Sequence, residues 1–177
     1  MNNDSTSLQA LWRKFLYAGA FLSLSLPLSA ATPEPVVVNV EFVTAITITE
    51  NNTLSYGLLD EALNTETITI APADDNVSGT GTAFVLGGTQ EAGQVTMTAT
   101  AGQAATILVN NVTDNTGYTL GTFMCTYDGG ASTACDSNMS VTTVASAVVL
   151  IGATLTGTNA AVDGVSNGSF DINMTYD

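Results

Sequence analysis

Basic side chains are almost absent from this 177-residue sequence. It contains two basic residues, Arg13 and Lys14, and no His, against 16 Asp and Glu. Because both basic residues precede position 31, a chain that begins at Thr32 has no base at all. Such a chain keeps fifteen of the sixteen carboxylates, since only Asp4 is lost.

The absence of bases excludes several classes of function. Lys and Arg are needed to neutralise nucleic-acid phosphates. Ser-His-Asp and Cys-His nucleophiles need an imidazole, and phosphate loops need a lysine. Glycoside hydrolysis by paired carboxylates is still allowed, but the only Trp is Trp12, so aromatic sugar platforms are scarce. We expect a protein that is not an enzyme, needs no cofactor or metal and binds no nucleic acid.

The first 31 residues have the pattern of an export signal. Trp12-Arg13-Lys14 is followed by an apolar run from Leu16 to Leu28 and then by Ser29-Ala30-Ala31. Pro27 interrupts a run that is already shorter than the about 20 residues of a spanning helix. We therefore predict a signal peptide at 1–31, secretion through the periplasm and no stable membrane insertion.

The remaining 146 residues (177 − 31) suit one domain, and their hydrophobic pattern has a period of two, as in β-strands. The alternation begins at Val36 and continues to Ile48. About nine or ten short strands separated by polar turns favour an all-β, immunoglobulin-like β-sandwich. We predict a single domain at 45–177, preceded at 32–44 by an N-terminal extension or donor strand. The further predicted strands lie at 54–56, 67–70, 83–86, 95–100, 106–109, 118–127, 139–144, 148–156 and 170–176.

Cys125 and Cys135 are the two cysteines of the chain. In an exported protein such a pair indicates a disulfide, here around the turn sequence Asp128-Gly129-Gly130. A redox function would require a positive charge to lower the thiol pKa, and no base is present. The sequence therefore predicts a structural disulfide.

The two ends of the exported chain are both strongly strand-forming. Strand addition to an open sheet edge uses main-chain hydrogen bonds and places alternate side chains in pockets. The N-terminal segment either completes its own domain or adds to the sheet of another copy, and the sequence leaves both alternatives open. The alternating apolar residues are Val36, Val38, Val40 and Phe42 at the N-terminal end and Phe170, Ile172, Met174 and Tyr176 at the C-terminal end.

Over nearly all of the exported chain, the sequence resembles the bacterial domain-of-unknown-function family 4402, which comprises exported Thr/Gly-rich β proteins. The strings that carry the resemblance are short. They are Ala45-Ile46-Thr47-Ile48-Thr49, Leu54-Ser55-Tyr56-Gly57, Val149-Leu150-Ile151-Gly152-Ala153-Thr154-Leu155 and Gly168-Ser169-Phe170-Asp171-Ile172-Asn173-Met174-Thr175-Tyr176.

The C-terminal strand is also similar to that of chaperone–usher pilus subunits. Tyr176 is penultimate, and Gly164 is the fourteenth residue counted back from Asp177. The similarity implies an incomplete sandwich that is completed by the N-terminal strand of the next subunit. It further implies donor residues Val36, Val38, Val40 and Phe42. It also implies a C-terminal strand that faces a periplasmic chaperone or the groove before an outer-membrane usher receives the subunit, with the residues Gly164, Phe170, Ile172, Met174 and Tyr176. The late position of Cys125 and Cys135 departs from the usual pilin pattern.

These observations lead to one expected function and one alternative. We expect an exported structural subunit of a surface filament or extracellular matrix, a homo-polymer assembled by β-strand donation. Its fifteen carboxylates would come together more easily in salt, which screens them, or at low pH. The alternative is a monomeric secreted β-sandwich that binds carbohydrate or calcium.

Overall fold

Alternating polar and apolar residues form antiparallel strands through most of the described part of the chain. A computed structural model describes residues 39–158, 164 and 167–177, and Glu41–Asp177 form one compact unit. Within the described residues there are two short 3₁₀ helices, Glu61–Leu63 and Thr80–Phe84, and twelve strands. The strands are β1 (Thr47–Asn52), β2 (Ser55–Leu59), β3 (Thr67–Ile70), β4 (Val77–Ser78), β5 (Val85–Glu91), β6 (Gly93–Thr98), β7 (Ala104–Thr113), β8 (Tyr118–Tyr127), β9 (Thr133–Ala134), β10 (Met139–Thr142), β11 (Ser146–Gly157) and β12 (Ser169–Tyr176).

Strand β11 organises the larger sheet. One of its edges pairs first with β6 and then with β3, and its other edge pairs with β8. The change of partner occurs around Gly152, where a Cβ would lie 2.1 Å from the Ile70 carbonyl oxygen. Only glycine allows this approach without displacing the backbone. Strands β1, β4 and β9 complete the sheet beside β6, β3 and β8.

A three-stranded sheet, in the order β10-β7-β12, supplies the second layer. Alternate residues of β7 and β11 enter a common core, and each large aliphatic side chain buried there contributes about 1.5–3 kcal/mol. The two layers confirm the predicted all-β sandwich. Buried core residues include Met97, Ala105, Ile107, Val109, Phe123, Val149, Ile151, Ala153 and Met174.

A small two-stranded sheet, β2-β5, covers a second cluster built on Leu63, Ile68 and Leu155. Tyr56 of β2 packs into this cluster, and its hydroxyl donates a hydrogen bond to the Ala153 carbonyl oxygen at 2.8 Å. Burial raises the pKa of Tyr56 well above its ordinary value, and the nearby Tyr118 adds to the effect. Tyr56 therefore links the small sheet to β11 in its neutral form.

The first strand starts later than the alternating pattern predicts. Residues 39–46 form no strand, and β1 begins at Thr47. The reason is the length of its partner: Thr47 pairs with Thr98, the last residue of β6, so the residues before Thr47 have no strand residue of β6 opposite them. The predicted signal peptide at 1–31 and the donor residues Val36 and Val38 lie outside the described residues.

Candidate strand-acceptor edge and donor segment

The C-terminal strand β12 lies at the edge of the three-stranded sheet. It pairs with β7 from Ser169 opposite Thr113 to Tyr176 opposite Ala105. In the part of the chain that the structure describes, no strand pairs with its other edge. An unpaired edge presents a row of backbone N–H and C=O groups that can pair with an added strand. We call this the acceptor edge.

The four C-terminal residues singled out in the sequence share the inner face of β12. Met174 is 7% exposed, and Phe170, Ile172 and Tyr176 are half-buried against the core. The Phe170 ring packs on that of Phe123, with 5.0 Å between ring centroids. Apolar side chains along the acceptor edge are therefore only partly covered, which leaves room for further apolar contacts beside them.

Gly164, which the sequence analysis grouped with the C-terminal strand, does not lie on β12. Gly164 is exposed in a bend with φ of 129°, and a Cβ built on it would have no neighbour within 4 Å. The positive φ is a conformation that favours glycine. Gly164 thus precedes the strand rather than lining the acceptor edge.

The disulfide and the backbone hydrogen bonds of Cys135 connect the two layers. Cys125 and Cys135 are bonded, with their Cα atoms 5.7 Å apart, and both are fully buried. The Cys135 N–H donates to the Phe123 carbonyl at 3.0 Å, and the Cys135 carbonyl accepts from the Val109 N–H at 2.6 Å. The cystine therefore fixes β8, which carries Phe123, to β7, which pairs with β12.

The described part of the donor segment, which we define as residues 36–43, exposes its apolar side chains. Val40 is 66% exposed, Phe42 is 90% exposed and Val43 is 46% exposed. Glu41 makes a polar contact, accepting a hydrogen bond from the Gln103 amide at 2.6 Å. Phe42 and Val40 thus have mostly exposed side chains.

Three hydrogen bonds hold Thr44, the residue that follows the donor segment, and a fourth joins the two residues that hold it. The Tyr176 hydroxyl donates to the Thr44 carbonyl at 2.9 Å and accepts from the Thr100 N–H at 2.7 Å. The Thr44 N–H donates to the Thr100 hydroxyl at 2.7 Å, and the two Thr hydroxyls are 2.9 Å apart. We call Thr44, Thr100 and Tyr176 the root clasp. Sequence analysis missed Thr44 and Thr100, because nothing distinguishes them among the many threonines.

The buried Thr143 holds the backbone that carries Thr100. Its side chain is 1% exposed, and its hydroxyl donates to the Thr100 carbonyl at 2.5 Å and accepts from the Gln103 N–H at 2.9 Å. The root clasp is therefore built on a fixed turn rather than on a free loop.

The acceptor edge and the donor segment both carry acidic residues. Asp171 and Asp177 lie on and just after β12, where they accept hydrogen bonds at 2.8 Å from Asn111 and Thr106. The donor segment carries Glu41. Because residues 32–177 contain no Lys, Arg or His, like-charge repulsion opposes bringing the acceptor edge and the donor segment together, and salt screens this repulsion.

Two further features bear on the alternative functions. Among residues 39–158, 164 and 167–177, no group of three or more His, Cys, Asp or Glu side chains is placed to hold a metal ion. The same residues include no helix with both the length and the apolar character needed to cross a membrane.

The comparisons with known proteins give one match. A family model described as Domain of unknown function (DUF4402) matches residues 46–176, most of the chain. The match begins just before β1 and ends at the last residue of β12. No curated protein and no solved structure matches.

Proposed function

We propose a structural function for this chain, which belongs to the Domain of unknown function (DUF4402) family. The chain is an exported subunit that assembles into a surface filament or extracellular matrix by β-strand donation. The donor segment of one copy adds to the acceptor edge of another. Donated main-chain hydrogen bonds supply affinity, and alternate apolar side chains supply specificity.

One observation carries this proposal. Val40 and Phe42 alternate on a segment that forms no strand, and they are 66% and 90% exposed in an exported-type chain. An exposed Phe is an ordinary surface feature when isolated, but alternating exposed apolar residues in a chain that also has an unpaired strand edge are an assembly signal. The half-buried Phe170 and Ile172 are the side chains that Val40 and Phe42 would cover.

The proposal includes partners and location. The chain is a homo-polymer on the cell surface or in an extracellular filament, reached through the periplasm. A periplasmic chaperone covers the acceptor edge before assembly, because an unpaired edge above apolar side chains aggregates without protection. An outer-membrane usher then receives the subunit. The chaperone and usher follow from the similarity of the C-terminal strand to pilus subunits.

Deletion of 32–42 tests strand donation directly. The exported chain, beginning at Thr32, and the truncated chain are purified separately and examined by negative-stain microscopy and by an unboiled denaturing gel. We expect filaments or a resistant ladder from the longer chain and a folded monomer from the truncated one.

A mixing control separates donation from general stickiness. The truncated chain keeps its acceptor edge, so it should cap the growing ladder when added in excess. A longer chain that stays monomeric, together with a truncated chain that no longer folds, would show that the segment belongs to its own domain. The monomeric binding module would then be the better account.

A further inference from the structure

The root clasp fixes where the donor segment leaves the sandwich. Tyr176 ends β12, and its hydroxyl binds the Thr44 carbonyl at 2.9 Å. The residue that follows the donor segment is thus held within one tyrosine side chain of the C-terminal end of β12. On the other side of Thr44, Ile46 packs against the core, so the chain is held on the C-terminal side of the clasp as well.

This attachment limits how a chain can pair with itself. Strand β12 has eight residues, so its two ends are about 24 Å apart. If the donor segment lay antiparallel along all of its own β12, residue 43 would be at the Ser169 end. Thr44 is held at the Tyr176 end, yet consecutive Cα atoms are only about 3.8 Å apart. Complete antiparallel pairing within one chain is impossible while the clasp is closed.

The remaining ways of pairing within one chain are poorer. A shorter antiparallel register would place Val40 and Phe42 in the return loop and leave their side chains outside any pocket. A parallel register can be reached, but parallel ladders are slightly less stable per residue. Every strand pair within the described residues is antiparallel. The donor segment of a second copy has no such restriction and can pair antiparallel along the whole acceptor edge.

We infer that the root clasp makes the acceptor edge select the donor segment of another copy over its own. Tyr176 is a positioning residue in this device, with Thr44 and Thr100 as its partners. The inference rests on the proposed strand donation and adds its direction: donation is antiparallel to β12 and intermolecular. The donor segment of the same chain and that of a second copy have the same sequence. The acceptor edge distinguishes them only by the end of β12 at which its own donor segment is attached.

Directional crosslinking in the chain beginning at Thr32 tests this inference. Val37 and Thr175 are replaced by Cys in one double variant, V37C with T175C, which reports antiparallel pairing. V37C with D171C reports parallel pairing. Each pair is placed in the wild-type background, in Tyr176→Phe and in Tyr127→Phe. Both Phe variants lose one hydroxyl, but the Tyr127 hydroxyl accepts its hydrogen bond from the Val144 N–H at 3.1 Å, a bond that includes none of the three clasp residues.

We expect the crosslinked product to change from interchain to intrachain when the clasp loses the Tyr176 hydroxyl. In the wild-type and Tyr127→Phe backgrounds, V37C with T175C forms crosslinks between chains, and V37C with D171C forms none within a chain. Tyr176→Phe gives a several-fold loss of interchain product and a several-fold gain of intrachain product. Circular dichroism and the urea midpoint of each monomer show that the three backgrounds are folded.

The contradicting results are distinct. Equal interchain products in the Tyr176→Phe and Tyr127→Phe backgrounds would overturn the clasp while leaving strand donation standing. Interchain products from the parallel reporter would overturn the direction. Absence of interchain product from every background would overturn strand donation itself, and the inference with it.

Discussion

The sandwich has two edge strands of opposite character near the chain ends. All six residues of β1 are exposed, and its largest apolar side chain, Ile48, is 36% exposed. Strand β12 instead keeps Met174 buried and Phe170, Ile172 and Tyr176 half-buried. Both edges have unpaired backbone groups among the described residues, but only β12 has apolar side chains that an added strand would cover. Edge hydrogen bonds alone do not make an assembly site.

The largest expected difference between the two edges is in how assembly responds to a negative charge placed on each of them. We expect Ile172→Asp to abolish the resistant ladder, because an added strand would bury a carboxylate without a partner. Ile48→Asp should leave the ladder within about twofold of wild type, since β1 side chains are solvated. Ladder intensity on unboiled gels at equal subunit concentration measures both. A ladder that survives Ile172→Asp and disappears in Ile48→Asp would show that β1, and not β12, is the edge that accepts the added strand.

Loss of the disulfide should affect β12 more than β1. A Cys125→Ala, Cys135→Ala variant should lower the free energy of unfolding by about 2–3 kcal/mol, because a short loop is released. Phe123, under Phe170, is hydrogen-bonded through its carbonyl to Cys135. Urea denaturation measures the loss, and amide exchange locates it. Faster exchange in β1 with β12 unchanged would contradict the connection between disulfide and acceptor edge.

Alkaline pH should lower the stability of the fold by a smaller amount, through Tyr56, which lies on neither of the two edge strands. The pKa of Tyr56 is raised in the folded chain by burial and by Tyr118, whereas in the unfolded chain it is about 10. Its contribution to stability is complete below pH 10 and is lost as the pH rises from there through the folded-state pKa. Urea midpoints from pH 8 to 11 should fall more steeply in wild type than in Tyr56→Phe. Equal slopes would contradict the buried neutral tyrosine.

The sequence predicts a strand well where the alternation of polar and apolar residues spans the same residues that pair with a neighbouring strand. Strands β3 and β8 have the predicted bounds, and the inner face of β12 is the predicted one. The disulfide also follows from the presence of two cysteines and from the predicted export, without any geometry. These features depend on local period and on residue type, which a single sequence records.

Long-range pairing explains the features that the sequence does not predict. The alternation from Val36 continues through Phe42 and Ile46, but a strand forms only where β6 offers a partner. The two-residue strands β4 and β9 are too short to show a period. The root clasp joins Thr44 to Thr100, which is 56 positions further along the chain, and to Tyr176, which is 132 positions further along. No local sequence pattern marks such a contact.

Amide hydrogen exchange of the same chain as monomer and as polymer tests the central claim most directly. We predict that assembly slows exchange in β12 and in residues 36–43, while exchange in β1 changes little. Protection confined to β1, or an unchanged β12 in a preparation shown to be polymeric, would contradict strand donation to the acceptor edge.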